Sequence, residues 1–244
     1  MCDGCERIAA RWKGWISIPK PRRCEPVGDW VDLSHCLREG LDRVSLVPEP
    51  TFRKLSRLPD HPDVTDMHMV VHIGTHVDSP RHFVIDGPAA QDVPLERLHG
   101  PGVVWRIDVE PLAEIDVHHL EQATPKMQRG DIVLISTGWA KHINTPMYEN
   151  HAALTVAAAE WLVAKGAKMI GVDFSTPDLT VHKRPEGFTW PVHQVLLSNG
   201  VLIAEHIANL DSLENSAIEA MFLGLNIQDS DGMPARAIAR KIRA

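Results

Sequence analysis

The stretch "DIVLISTGWAKHINTPMYENHAALTVAAAEWLVAKGAKMIGVD" (residues 131–173) holds a strand, a helix and a second strand in succession. "DIVLIS" (131–136) and "KMIGVD" (168–173) are short, rich in Val and Ile, and bounded by turn residues, which is how strands buried on both faces read. Between them, "LTVAAAEWLVAKGAK" (154–168) offers Thr155 as an N-cap. Val156, Ala159, Leu162 and Val163 form a stripe at helical spacing, and Gly166 is a stop. A helix between two buried strands predicts a mixed α/β fold with some parallel pairing.

Working outward, "MHMVVHI" (67–73), "GVVWRIDV" (102–109), "VLIA" (201–204) and "AMFLGLNI" (220–227) also read as strands. "TWPVHQVLLSNG" (189–200) reads as a helix, with Thr189 at its start, Pro191 in the first turn and Gly200 past its end. "EIDVHHLEQA" (114–123) is a third helix candidate. The first 28 residues are irregular and carry Pro19, Pro21 and Pro26. The reading is therefore an N-terminal arm over 1–28 and a single domain over 29–244, a mixed β-sheet with flanking helices. Trp12 and Trp15 in the arm suggest docking on a neighbouring subunit. The basic tail "ARAIARKIRA" (235–244) reads as a solvated terminal helix.

A chain of 244 residues with 44% hydrophobic and 23% charged content is an ordinary globular protein. Its net charge of −7 opposes nucleic-acid binding, which needs a basic surface. No apolar run approaches a membrane span, and "MCDGCERIAARWKGW" lacks the apolar core of a signal peptide, so a cytoplasmic location is expected, with no membrane partner. Cys2, Cys5, Cys24 and Cys36 include one C-x-x-C pair without a second, and read as reduced thiols.

Histidine is over-represented, at 14 residues. Four metal- or proton-binding groups crowd into "VVHIGTHVDSPRHFV" (71–85): His72, His76, Asp78 and His82. In extended chain the even positions 72, 76 and 78 point the same way, so two imidazoles and a carboxylate share an edge, a donor set that zinc or manganese accepts. Gly74 and Pro80 oppose a helix here. Beyond Pro80, His82 lies close to that edge but off its line, where a histidine can relay protons.

H-x-G-T-H-x-D-x-P-x-H-F matches this stretch at every fixed position from His72 to Phe83, and resembles the signature of the cyclase family of metal-dependent hydrolases, which includes arylformamidases (kynurenine formamidases) and isatin hydrolases. The resemblance covers most of the chain. "VDLSHCL" (31–37) is similar to D-L-S-H-P-L, with Cys36 in place of proline. "GVDFSTPD" (171–178) resembles G-I-D-x-x-S-x-D, with Thr176 in the serine place. "PVHQVLLSNGVLIAEHIANLDSL" (191–213) resembles the family's P-x-H-x-x-L-L … I-x-E-x-L-x-N-L-D-x-L segment, and "DGMPARAIA" (231–239) is similar to its closing motif.

The resemblance implies a swivelling β/β/α fold and a homodimer or homotetramer. It adds His193 and Glu205 to the metal ligands His72, His76 and Asp78, and leaves open one metal or two, zinc or manganese. The implied activity is hydrolysis of an amide or cyclic amide C–N bond by metal-activated water, with His82 relaying the proton. A lactone or ester hydrolase and a non-catalytic metal-binding protein are the alternatives. Asp173 and Asp178 are candidates for orienting the ligand imidazoles. Trp139 and Trp190 are candidates for lining an aromatic pocket for a small-molecule substrate. The insertion "TVHKRPEGFT" (180–189) sets the chain apart from a minimal arylformamidase.

Overall fold

The computed structural model describes residues 10–43 and 47–243. In chain order come β1 (Ala10–Arg11), β2 (Val31–Asp32), β3 (Thr51–Ser56), β4 (Val64–His68), β5 (His76–Asp78) and β6 (Val84–Ile85). Next are α1 (Leu95–Leu98), β7 (His99–Arg106), β8 (Glu114–Ile115), α2 (Val117–Gln122), β9 (Ile132–Ser136) and β10 (Ala153–Leu154). The last elements are α3 (Val156–Lys165), β11 (Met169–Val172), α4 (Pro191–Ser198), β12 (Leu202–Glu205), β13 (Ser216–Gly224) and β14 (Gly232–Lys241).

The main sheet runs β13-β7-β9-β11-β12-β5-β14-β2, and β13 also pairs with β14, so the strands close on themselves like a barrel. The centre, β7-β9-β11-β12, is parallel, as the buried strands around α3 predict. Strand alternation divides the core. Val133 and Ile135 face a layer shared with Leu162 of α3 and Leu196 of α4. Ile132 and Leu134 face a second layer with Ile218, Phe222 and Ala237 from the closing strands. Leu134 is fully enclosed there, so Leu134→Ala would cost roughly 2–5 kcal/mol. Thr155 caps α3 by accepting from the Ala158 amide at 3.1 Å, and Gly166 ends it in the left-handed region.

Three expectations are corrected. The strand expected at 67–73 is not one: β4 ends at His68, and the chain turns through 71–75 before β5 begins. Gly74 makes that turn at φ +66, where a Cβ would lie 2.7 Å from Leu37 Cδ2. The C-terminal tail is not a helix but the end of β14: Ala237 and Ala239 point inward, while Arg236 and Arg240 pair outward with Asp32 and Glu219. That is a period of two, and it overrides alanine's helix preference. The described part of the arm, residues 10–28, docks on its own chain. β1 pairs in parallel with β6, the Lys13 amide donates to Ser198 O at 3.0 Å, and Arg97 donates to Ile16 O while stacking on Trp15 at 4.5 Å. Cys24 and Cys36 are free thiols, whereas Cys2 and Cys5 lie outside the described residues. Among the described residues, no helix is long and apolar enough to cross a membrane.

Candidate metal centre and active site

β5 and β12 lie antiparallel, with Glu205 opposite His76 and Ile203 opposite Asp78. This register, set by two short buried strands, brings the carboxylate that ends β12 to the histidine-rich segment. α4 supplies His193. The helix begins at Pro191 rather than Thr189, because Trp190 takes the cap position with φ +52. Asp178 accepts from the Val192 and His193 amides at 3.1 and 3.0 Å, and from His193 Nδ1 at 2.6 Å. One buried carboxylate thus satisfies the helix N-terminus and fixes the imidazole, which is the orienting contact expected of Asp178.

The other ring is held in the same way: His76 Nδ1 donates to Gly74 O at 2.7 Å. Both Nδ1 positions are donors, and both Nε2 atoms face carboxylates. His76 Nε2 lies 3.3 Å from Asp78 Oδ1 and 3.3 Å from Glu205 Oε2. His193 Nε2 lies 3.4 Å from Asp78 Oδ2 and 3.2 Å from Glu205 Oε1. At these distances the angles close no hydrogen bond for His76 Nε2, Asp78 Oδ2 or Glu205 Oε1, all buried and unpartnered. An imidazole lone pair against carboxylate oxygens at this range is repulsive unless a cation stands between them. The donor set therefore fits a divalent metal, with protons as the alternative occupant. Burial alone would push His76 down, but Asp78 and Glu205 outweigh it and carry its pKa up to about 10. Burial opposes His193 likewise, and Asp178, Asp78 and Glu205 hold it well above the ordinary value.

His72 sits in the turn before β5. Its Nδ1 is 2.9 Å from Asp78 Oδ1 and its Nε2 is 2.9 Å from Asp231 Oδ2. His82 stacks on it at 4.0 Å and places Nδ1 3.2 Å from the same Asp231 oxygen. Three groups bring donor atoms within 4.8 Å of one another: His72, His76 and Asp78; Asp78, His82 and His193; and His72, His82 and Asp231. Asp231 is the site residue that sequence reasoning misses. It begins the closing motif at 231–239, and β14 carries it to the site by pairing Gly232 with Asp78. Gly232 is needed for this packing, since a Cβ there would meet His72 Cε1 at 2.6 Å. Bonds from His72 and His82 hold the Asp231 carboxyl well below its usual range.

His72, His82, Phe83, Trp190, His193 and Glu205 line a cavity of about 170 Å³. A larger hollow of about 410 Å³, near Asp32, Cys36 and Arg236, contains no such cluster, and its Asp32 is paired with Arg236. Trp190 lines the site cavity as expected, but Trp139 does not. Trp139 packs in the helix-side core and donates from Nε1 to Tyr148 O at 3.0 Å. Asp173 is also placed elsewhere: it accepts from Thr137 and Trp139 amides and from the Thr137 hydroxyl, capping the turn after β9 rather than orienting an imidazole. Phe83, 4.7 Å from His193 and 5.7 Å from Trp190, is an aromatic wall absent from the expected pocket, although it closes the signature motif.

The family model described as "Putative cyclase" matches residues 31–179. The kynurenine formamidase of Bordetella avium (strain 197N) is 31% identical over 181 residues, which cover 74% of this chain and 81% of that protein. A crystal structure of an isatin hydrolase bound to the product analogue thioisatinate superposes with a TM-score of 0.80 at 20% identity, covering 88% of this chain and 93% of that one. The structure of a "predicted metal-dependent hydrolase" from Bacillus stearothermophilus gives a TM-score of 0.69 at 24% identity, over 87% and 98% of the two chains. The motifs, the fold and these matches agree: this chain belongs to the cyclase family.

Proposed function

We propose that the protein is a metal-dependent hydrolase of a non-peptide C–N bond, in an aryl formamide or an isatin-like cyclic amide. The observation that carries this reading is the pair of imidazole Nε2 atoms at 3.2–3.4 Å from two carboxylates, with both Nδ1 atoms fixed as donors. His76, Asp78, His193, Glu205 and His72 would hold the cation. Neutral imidazoles and carboxylates suit zinc or manganese. A bound divalent ion supplies Lewis-acid polarisation of the scissile carbonyl and a lowered pKa for water.

The chain's own groups do the rest. Asp231 accepts the Nδ1 proton of His82 in a hydrogen bond, which commits the other ring nitrogen to proton exchange at the cavity. Burial draws the His82 pKa below its ordinary value, against the pull of Asp78 and Asp231, so the ring is a base first and an acid after the proton arrives. Phe83 and Trp190 give the cavity an aromatic wall suited to an aryl substrate.

In the same reading the protein works in the cytoplasm, as a homodimer or homotetramer, with arm 1–28 and hydrolase domain 29–244. The β3–β4 hairpin supports self-association. Leu55, Leu58, Val64 and Met67 are exposed on it, and a lone two-stranded ribbon is marginal in water. The experiment is chelation and then reconstitution with zinc or manganese, with assays on formanilide, isatin and a simple lactone. Amide or isatin turnover that disappears with the metal and returns with it is expected. Turnover that survives complete metal removal, or is confined to the lactone, contradicts the reading.

A further inference from the structure

The segment 180–189 brings Arg184 to the cavity that His82, His193 and Glu205 also line. Its Nε donates to Leu179 O at 2.8 Å. The guanidinium carbon stands 5.1 Å from the Trp190 ring and 5.5 Å from the Phe188 ring. These contacts hold the plane of the side chain, and among the described residues the side chain's one hydrogen bond is from Nε. Among the described residues, no carboxylate lies within ion-pair distance of Arg184, whereas Arg106, Arg236 and Arg240 each have one. Asp178, Glu205 and Glu149 act on this partly buried guanidinium only from beyond ion-pair contact, so its planar fork is left to match a carboxylate in two parallel bonds.

The same cavity is lined by His72, His82, His193 and Glu205 of the histidine and carboxylate cluster, where the scissile carbonyl would sit. A cavity of about 170 Å³ accommodates roughly one aromatic ring, since a cavity of about 150 Å³ holds benzene. Phe83 and Trp190 give the cavity its aromatic lining. Resting on the amide-hydrolase reading, we propose that Arg184 determines specificity by binding a carboxylate on the substrate, and that the preferred substrates are one-ring aryl amides carrying that negative charge.

Steady-state kinetics on each ring isomer of formamidobenzoate and on neutral formanilide tests this, with wild type, Arg184→Gln and Arg184→Lys. In Arg184→Gln the kcat/KM for the preferred formamidobenzoate is expected to fall about 10–100-fold more than that for formanilide, chiefly through KM, with Arg184→Lys in between. Equal losses on both substrates, or no loss, overturn the assignment. Binding of benzoate and benzamide, monitored by tryptophan fluorescence, separates this proposal from the reading beneath it. If wild type hydrolyses neither formamide nor isatin, the amide-hydrolase reading fails. A preference for benzoate that disappears in Arg184→Gln still upholds the anion site, and unchanged benzoate binding in that variant rejects it.

Discussion

Glu205 and His206 are neighbours in sequence and belong to two histidine groups of opposite character. On the Glu205 side, His72, His76 and His193 meet Asp78, Asp178, Asp231 and Glu205. Burial should depress all three rings, yet the carboxylates carry His72 up to about 9 and His76 to about 10. On the other side, His206 Nδ1 bonds only to Tyr148 Oη, at 2.9 Å; burial is the main influence on the ring, followed by the charges of His76, Glu205, His35 and His151. There burial wins, drawing His206 down to about 3 and His151 to about 4. The Nε2 atoms of His35, His151 and His206 are unpartnered too, but among the described residues none joins a group of three converging ligand atoms. Histidine burial is common to both groups. Carboxylates aimed at the rings are what make one of them a candidate cation site.

The most damaging way to test that contrast is to remove a ligand from the acid-lined group. His76→Ala should lose the metal and more than about 100-fold in activity, since even outer partners of metal ligands are worth about 10–100-fold; elemental analysis beside turnover measures both. Next comes His82→Ala, expected to keep its metal while kcat falls about 10²–10⁴-fold. A metal-free His82→Ala protein would instead make His82 a ligand, as two of the three donor groups permit. Asp178→Asn should weaken metal affinity about 10–100-fold by releasing His193, read from competition with a graded chelator.

The smallest effect belongs to the group without converging carboxylates. The folded protein holds His151 at about 4 against an ordinary 6.5, because burial disfavours the charged ring. Between those values the unfolded chain binds more protons, so this residue's contribution is complete above pH 6.5 and declines as pH falls toward 4. The slope is roughly 1.4 kcal/mol per pH unit. Urea midpoints at several pH values should show a shallower acid loss in His151→Gln than in wild type. Parallel curves would show that His151 contributes nothing to the acid loss.

The contrast also explains what can be read from sequence. His72, His76, Asp78 and His82 lie within eleven positions, and His193 and Glu205 lie in segments whose helix and strand are legible from periodicity. Asp231 is not legible as a partner, because it is 149 residues from His82 and arrives only through the pairing of β14 with β5. Its strand is concealed by alanine, which reads as helix until the inward–outward alternation of Ala237, Ala239, Arg236 and Arg240 is noticed. Trp139 and Trp190 look alike as aromatic residues near turns, and only packing separates a core residue from a cavity wall. Asp173 and Asp178 are likewise indistinguishable by type. One caps a turn, and the other caps the helix that carries His193.

The most direct test places the two histidine groups side by side. Wild type, His76→Asn and His151→Asn would be purified identically, checked for folding by circular dichroism, dialysed against a divalent metal and analysed for bound ion. The prediction is full occupancy in wild type and His151→Asn, and loss in a folded His76→Asn. A folded His76→Asn that retains the full metal content would contradict the claim that the acid-lined group is the metal centre.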